Sequence, residues 1–113
     1  MDSIIQKDKK CFICGSRGLL NLHHCIYGTG KRALSDKYGL TIYLCPIHHT
    51  YGINAVHNNK VMDDEIKRMA QEKAMEYYGW SEEDFIKIFR RNYLWIKKNL
   101  KSLKRKLKHI RKA

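Results

Sequence analysis

The residues best suited to chemistry are concentrated between Cys11 and His57. All four cysteines and five of the six histidines of the 113-residue chain lie in this stretch. Thiolates and neutral imidazoles are the side chains that zinc prefers as ligands. The stretch therefore predicts metal binding, and it holds more imidazoles than one tetrahedral ion needs.

Two short-spaced ligand pairs, separated by a long intervening stretch, predict a structural zinc site. Such pairs clamp an early turn of the chain against the start of a later helix, and a Cys3His set suits tetrahedral zinc. The fourth ligand stays open, because His49 adjoins His48 and Cys25 is a spare thiol that could equally be a small buried side chain. The predicted ligands are Cys11, Cys14, Cys45 and His48.

With His48 assigned to zinc, four histidines of the stretch are left. Neighbours on a strand point to opposite faces, so His23 and His24 are expected to have different roles. One would bind a cation, and the other would face a scissile phosphate as a general base for water. A divalent cation beside it would polarise the phosphate and stabilise the leaving oxygen. The alternatives are ordinary histidines or one larger zinc cluster.

The charge of the chain indicates a polyanionic partner. The formal net charge is +12, which favours nucleic acid over a membrane surface. Residues 92–113 hold nine Lys and Arg and no acidic residue. The sequence has neither a run of apolar residues long enough to span a membrane nor the features of a signal peptide. Four cysteines in such a chain indicate reduced thiols in a cytoplasmic compartment.

The pattern of apolar residues, together with glycine, proline and capping residues, predicts the elements that position these side chains. Residues 19–26 and 40–44 are predicted strands, joined by a flexible basic loop at 28–32 and a helical turn at 33–38 that ends at Gly39. Pro46 suits the first turn of a helix carrying His48 and His49. Two further helices are predicted, one starting at the acidic residues 63–65 and stopping near 79, the other capped by Ser81 and running to 92.

These elements predict a small α+β protein with a zinc-stapled core. Residues 1–10 are expected to be a flexible lead-in. The core spans 11–62, a helical extension packed on it spans 63–94, and a basic amphipathic helical tail spans 95–113. The tail has apolar residues at heptad-like spacing with lysines and arginines between them.

The same motifs resemble a known family. The features are Cys11-x2-Cys14, a strand ending His23-His24, a second strand ending Leu44-Cys45-x2-His48-His49, and Val56-His57 downstream. Together they are similar to the HNH endonucleases of the ββα-metal, or His-Me finger, superfamily. The likeness is greatest to a zinc-containing phage-type branch that includes RecA-dependent recombination-enhancement nucleases, and residues 34–40 also look like prophage HNH proteins. It covers roughly residues 11–60.

The resemblance implies a fold and an activity. The fold would be a ββα-metal core. The activity would be metal-dependent hydrolysis of DNA, leaving 5′-phosphate and 3′-hydroxyl ends. His24 would be the general base, and His23, His49 and His57 would bind a catalytic Mg²⁺ or Mn²⁺, with Zn²⁺ or Ni²⁺ as substitutes. One departure concerns the middle Asn of the family motif, whose position here is Leu40. The candidates to take its role are Asn54, Asn58 and Asn59.

The expected partner is DNA, in a bacterial cytoplasm and encoded by a prophage. A homodimer and a phage or host recombination or packaging protein are left open as further partners, as is the strand form of the substrate. The competing functions are a catalytically silent zinc-stabilised nucleic-acid-binding module and an RNA- or ribosome-associated zinc-ribbon protein. The basic residues expected to contact the nucleic-acid backbone are Lys31, Arg32, Lys97, Lys98, Lys101, Lys104, Arg105 and Lys108.

Overall fold

Two short antiparallel strands organise the site-bearing half of the chain. The computed structural model describes residues 1–52 and 55–95. Strand β1 (Asn21–His24) pairs with strand β2 (Thr41–Leu44), so that Leu22 lies opposite Tyr43 and His23 opposite Ile42. Both strands lie inside the predicted ranges. Because side chains alternate across a strand, Leu22, His24, Thr41 and Tyr43 share the outer face of the sheet and His23 and Ile42 face the core.

Helix α1 (Lys31–Tyr38) fills the connection between the strands. It begins at Lys31, two residues before the predicted helical turn, so Lys31 and Arg32 form its first turn and do not belong to a flexible loop. Gly39 ends the helix with φ 73°, a left-handed conformation that glycine adopts without strain. The predicted stop at Gly39 is therefore confirmed.

The predicted helix after β2 is only a single helical turn. Pro46 precedes a wide, π-type turn at Ile47–Tyr51, which ends at Gly52, and a 3-10 turn follows at Val56–Asn58. The side chain of Asn58 donates to the main-chain carbonyls of Thr50 and Gly52. These bonds join the two turns, which present His49 and His57 to the same region.

Two α-helices close the structure. Helix α2 (Lys60–Tyr78) starts three residues earlier than predicted, because the Asn59 side chain caps it by accepting from the Met62 backbone N–H. It therefore crosses the predicted boundary between residues 62 and 63. Helix α3 (Glu82–Phe89) begins with the predicted Ser81 cap, but it ends at Phe89 and not at residue 92, since Arg90 takes a left-handed φ of 61°.

The apolar core lies between the inner face of the sheet and helices α2 and α3. Helix α3 contributes Phe85 and Phe89, whose rings stack with centroids 4.6 Å apart. One polar side chain is enclosed with them: Gln71 accepts from the Tyr93 backbone N–H at 2.7 Å and donates to Asn92. Fully buried apolar side chains of the sheet and of α2 complete the core, namely Ile42, Leu44, Met62, Ile66, Ala70 and Ala74.

Residues 1–10, predicted as a flexible lead-in, form hydrogen bonds with β2 and with Gly39, which lies shortly before it. The Ile4 backbone N–H donates to the Gly39 carbonyl at 2.9 Å, and the Tyr43 backbone N–H donates to the Gln6 side chain at 2.8 Å. The segment thus covers the free edge of β2, which would otherwise expose unpaired backbone groups.

The result is a small mixed α+β structure with a two-stranded sheet and helices. None of the helices in residues 1–52 and 55–95 is long and apolar enough to cross a membrane. Most of the predicted basic helical tail, from residue 96 onward, lies outside the described residues.

Candidate metal centres

The four predicted zinc ligands converge in space. The ligand atoms of Cys11, Cys14, Cys45 and His48 all lie within 4.8 Å of one another. The Cys14 and Cys45 sulfurs are 3.8 Å apart, and His48 Nδ1 is 3.2 Å from Cys45 Sγ and 3.8 Å from Cys11 Sγ. Sulfur and nitrogen ligands at their usual distances from a tetrahedral zinc ion lie about 3.3–3.8 Å apart. The group can therefore hold a metal ion such as zinc.

Local geometry brings each pair of ligands together. The first pair sits on a tight turn closed by the Gly15 backbone N–H donating to the Cys11 carbonyl at 2.8 Å, with Gly15 at φ 78°. The Phe12 backbone N–H donates to the Tyr43 carbonyl at 2.7 Å, which fixes this turn beside the end of β2. The second pair follows directly on that strand, so both pairs meet at one end of the sheet.

The closeness of the thiols is compatible with a bound cation. Burial, together with the proximity of Cys11 and Cys45, raises the pKa of Cys14 to about 11. Burial also acts to raise the pKa of Cys11, but backbone hydrogen bonds from Cys14 and Cys45 outweigh it and lower that pKa. Thiols this close repel one another once ionised, and a zinc ion compensates their charge and deprotonates them. The donor set therefore fits zinc.

Cys25 is the spare thiol, and it lies in the apolar core. It is fully buried, burial raises its pKa far above the ordinary range, and it belongs to no metal-ligand group in the part of the chain that the structure describes. A buried neutral thiol behaves as a small apolar side chain. His48 therefore lies with the three cysteines as the fourth potential ligand, whereas Cys25 and His49 do not belong to that group.

A second group, of three imidazoles, forms separately from the cysteine cluster. Ligand atoms of His23, His49 and His57 lie within 4.8 Å of one another, and the Nε2 atoms of His49 and His57 are 3.1 Å apart. Nitrogens bound to one ion at the usual distances for zinc lie about 2.9–3.4 Å apart, according to the coordination number. These three are the residues that the resemblance implies as ligands of the catalytic cation.

His23 is the buried member of this group. Its side chain is 2% exposed, and its Nε2 has no hydrogen-bond partner among the described residues. Burial, together with the neighbouring His57 and His49, lowers the pKa of His23 to about 3. A buried imidazole nitrogen without a partner is costly, and a neutral imidazole is the form that binds metal. Both features fit a metal ligand.

His24 lies beside the three-histidine group but is not part of it. Its side chain projects from the outer face of the sheet, where Nε2 is 3.4 Å from Asp36 Oδ1 on α1. It nevertheless lines the same cleft, of about 220 Å³, as His23, His49 and His57. The position of His24 at the strand end allows this, because the strand no longer separates its two faces there.

Three residues that support the cleft were not predicted. The Tyr27 hydroxyl donates to Asp63 Oδ2 at 2.9 Å, Lys67 lies 2.9 Å from the same oxygen, and the Lys67 ammonium sits 4.5 Å from the centroid of the Tyr27 ring. The Tyr27 ring in turn makes edge contacts with His23 and His57. Only the spacing of Asp63 and Lys67, four residues apart on a helix, could have been noticed in the sequence.

The predicted nucleic-acid contacts divide into two groups. Arg32 lines the histidine cleft, and Lys31 is half-buried at the start of α1. The others lie outside the described residues, namely Lys97, Lys98, Lys101, Lys104, Arg105 and Lys108.

Comparison with known proteins identifies no relative of this chain. No family model matches the sequence, and neither a curated protein nor a solved structure matches it. What the chain does must therefore be inferred from the two clusters of metal ligands.

Proposed function

We propose that this chain is a metal-dependent DNA endonuclease of the HNH type. The observation that supports this most is the meeting of four histidines in one cleft, three of them clustered as ligands and His24 paired with Asp36 beside them. The cysteine cluster is separate, so the chain can use one ion to hold the fold and another for the reaction. One cation beside a general base is what phosphodiester hydrolysis by a single metal ion needs.

The order of elements supports a ββα-metal core for this nuclease. Strands β1 and β2 are followed by the helical turn Ile47–Tyr51, which carries His48 for one cluster and His49 for the other. In the proposed core this turn takes the place of the family's helix, and α1 is an insertion between the strands. A turn of this length is too short to be stable by itself, so its two flanking metal clusters would hold it.

The donors of the three-histidine group favour a transition metal. A cation held there supplies Lewis-acid polarisation of the phosphate and stabilises the leaving 3′-oxygen. Mg²⁺ prefers oxygen ligands, whereas imidazole suits Zn²⁺ and Ni²⁺. The ligand group contains no carboxylate within the described residues. We therefore expect activity with Zn²⁺ or Ni²⁺ to exceed activity with Mg²⁺.

The protein groups would divide the remaining work. A neutral His24 that donates its Nε2 proton to Asp36 leaves Nδ1 unprotonated, and that nitrogen can accept a proton from an attacking water. Arg32, at the edge of the cleft, can bind a phosphate oxygen of the DNA backbone. Tyr27 also lines the cleft, where its ring contacts His23 and His57.

One observation favours the alternative, a catalytically silent zinc-stabilised nucleic-acid-binding module. The family position for the middle Asn is occupied by the buried Leu40. Asn58 and Asn59 both have structural roles, in joining the two turns and in capping α2. The third candidate, Asn54, lies outside the described residues. Such a module would bind DNA but would leave its phosphodiester bonds intact.

Plasmid nicking distinguishes the two functions. Supercoiled DNA is incubated with the zinc-loaded protein alone, with added Mn²⁺, Ni²⁺, Zn²⁺ or Mg²⁺, and with a chelator, and the nicked circles are quantified. We expect cleavage by wild type that the chelator abolishes and that His24→Ala lowers at least about a hundredfold, the lower end of what a general base contributes. Tyr51→Ala changes a side chain that is 81% exposed and outside the cleft, and it should cleave like wild type.

If the protein binds DNA but does not nick it with any of the metals, the proposed nuclease activity is contradicted. That result would instead support the catalytically silent nucleic-acid-binding module. Cleavage that is equal in wild type and His24→Ala would instead contradict the assignment of the general base.

A further inference from the structure

Shared lining residues connect the histidine cleft with two larger clefts, one on the outer face of the sheet and one beside the cysteine cluster. The largest cleft, of about 820 Å³, lies between residues 1–7 and the outer side chains of both strands. It meets the histidine cleft at Leu22, which lines both. It also shares Gln6 and Lys7 with a cleft of about 640 Å³ beside Cys11 and Cys14. We call these two larger clefts together the outer groove.

Apolar and aromatic side chains form part of the wall of the outer groove. Leu22 is 44% exposed and Tyr77, at the end of α2, is 62% exposed. Tyr43 lies opposite Leu22 on the same face of the sheet, and both tyrosines line the groove. Leu22 and Tyr77 keep apolar surface in water, which is a cost that a binding partner able to stack on the rings would remove.

Positive charge accompanies these rings. Lys7, Lys10 and Arg17 line the outer groove, and the Lys9 ammonium lies 5.8 Å from the centroid of the Tyr43 ring. Two aspartates, Asp2 and Asp8, offset part of this charge.

The distribution of charge over the whole described chain points the same way. Residues 1–52 contain seven Lys and Arg against three Asp, a net charge of +4, whereas residues 55–95 contain seven basic and eight acidic residues, a net charge of −1. Residues 1–52, which supply most of the groove lining, therefore carry the net positive charge that attracts a polyanion.

We infer that the outer groove binds an unpaired, single-stranded segment of nucleic acid and leads its backbone to the histidine cleft. Bases stack on exposed aromatic rings while lysines and arginines follow the phosphates, which is how grooves for single strands are built. A duplex keeps its bases stacked on one another, so it would contact the lysines but leave Tyr43 and Tyr77 unused. The inference rests on the proposed function and adds the strand form of its substrate.

Binding assays with paired variants test this inference. Fluorescence anisotropy is measured in zinc-containing buffer with a labelled oligothymidine and with a labelled duplex hairpin. Every protein carries His24→Ala, so that neither probe is cleaved. A salt concentration of about 0.3 M weakens the contribution of the basic residues 96–113 to both probes. We expect Tyr43→Ala and Tyr77→Ala each to weaken single-strand binding about tenfold, the effect of losing one stacked base, and to change duplex binding less than about twofold.

Two controls separate stacking from damage to the fold. Tyr43→Phe keeps the ring and should bind the single strand like the parent protein. Tyr51→Ala removes an exposed ring outside the groove and should also bind like the parent. Tyr77 lies on the helix surface, so Tyr77→Ala remains informative even if Tyr43→Ala lowers stability.

The inference is overturned if both alanine variants keep their single-strand affinity, or if they lose affinity equally for the two probes. Neither result affects the nicking assay, so the proposed nuclease could still stand. Conversely, a protein that binds single strands through Tyr43 and Tyr77 but never nicks DNA would overturn the nuclease and keep the groove.

Discussion

His23 and His24 are adjacent in the chain, yet their surroundings differ completely. His23 is enclosed by the core and faces two other imidazoles, while His24 is 15% exposed and faces a carboxylate on α1. Alternation along β1 produces this difference. One imidazole is thereby suited to bind a metal, and its neighbour is suited to exchange a proton with water.

The three-histidine group predicts a second bound ion. Wild type should hold two zinc ions per chain, and His57→Ala should hold one, because two imidazoles bind a metal far more weakly than three do. His57 is exposed, so this change should leave the fold intact. Native mass spectrometry counts the ions. His24→Ala, which changes a neighbour outside the group, should keep two, and a count of two in His57→Ala would contradict the site.

Asp36 is expected to act as a positioning residue for His24. If the proposed function holds, Asp36→Asn should lower the nicking rate at least about tenfold, because the amide no longer selects the tautomer and orientation of a general base. Substrate affinity and thermal stability should hardly change, since exposed pairs contribute little to stability. Lys37→Ala, at the next position of the same helix, is the control. Equal nicking by Asp36→Asn and wild type would show that His24 needs no such partner.

At the scale of elements, the helix ends differ in what surrounds them. Gly39 ends α1 and Gly79 ends α2, both with positive φ. A Cβ at Gly39 would lie 2.5 Å from the Asp2 carbonyl oxygen, whereas a Cβ at Gly79 would meet nothing within 4 Å. The first glycine therefore serves the docking of residues 1–10 as well as the end of its helix.

These two glycines form a matched pair for mutation. Gly79→Ala should lower the free energy of unfolding by about 1–2 kcal/mol, the cost of a left-handed alanine. Gly39→Ala should cost at least about 1 kcal/mol more, because overpacking against the N-terminal segment adds to the same strain. Denaturant titration in zinc-containing buffer measures both values. Equal losses would mean that residues 1–10 do not dock on β2 in solution.

For the molecule as a whole, the cysteine cluster connects parts that are far apart in the chain. It joins the turn at Cys11 to the turn after β2, in a structure whose sheet has only two strands. Cys11→Ser should lower the free energy of unfolding by at least about 3 kcal/mol, since structural zinc contributes more than that to small domains. Thermal melts followed by circular dichroism, with and without a chelator, measure the effect. His24→Ala should melt like wild type, and equal destabilisation by both would contradict the proposed separation of structural and catalytic roles.

Under the proposed function, the basic tail should contribute to DNA affinity and should not affect metal binding at the two clusters. Deleting residues 96–113 removes nine Lys and Arg, so DNA binding should weaken and the slope of log K against log salt should fall by at least about 2, given about 0.9 per phosphate contact. Anisotropy titrations over a salt series measure the slope. An unchanged slope would show that the tail makes no contact with phosphates, whereas metal content should be unchanged in either case.

Local patterns in the sequence were enough to predict the strands, the Ser81 cap, the stop at Gly39 and the three cysteines of the cysteine cluster. Each of these depends on residues a few positions apart: a cap and its turn, or two ligands on one knuckle. The short spacing of Cys11 and Cys14 restricts where their side chains can lie. Residue type and spacing were therefore enough to predict that these two cysteines form one pair.

Only the tertiary structure decided how the remaining features meet. It separated His48 from His49, placed Cys25 in the core, brought Tyr27, Asp63 and Lys67 behind the histidine cleft, and docked residues 1–10 beside the sheet. Each of these contacts joins segments that are distant in the chain, and they form because apolar side chains of α2, α3 and the sheet are buried together. Burial of that kind is not directional, so residue spacing alone does not reveal which side chains it will bring into contact.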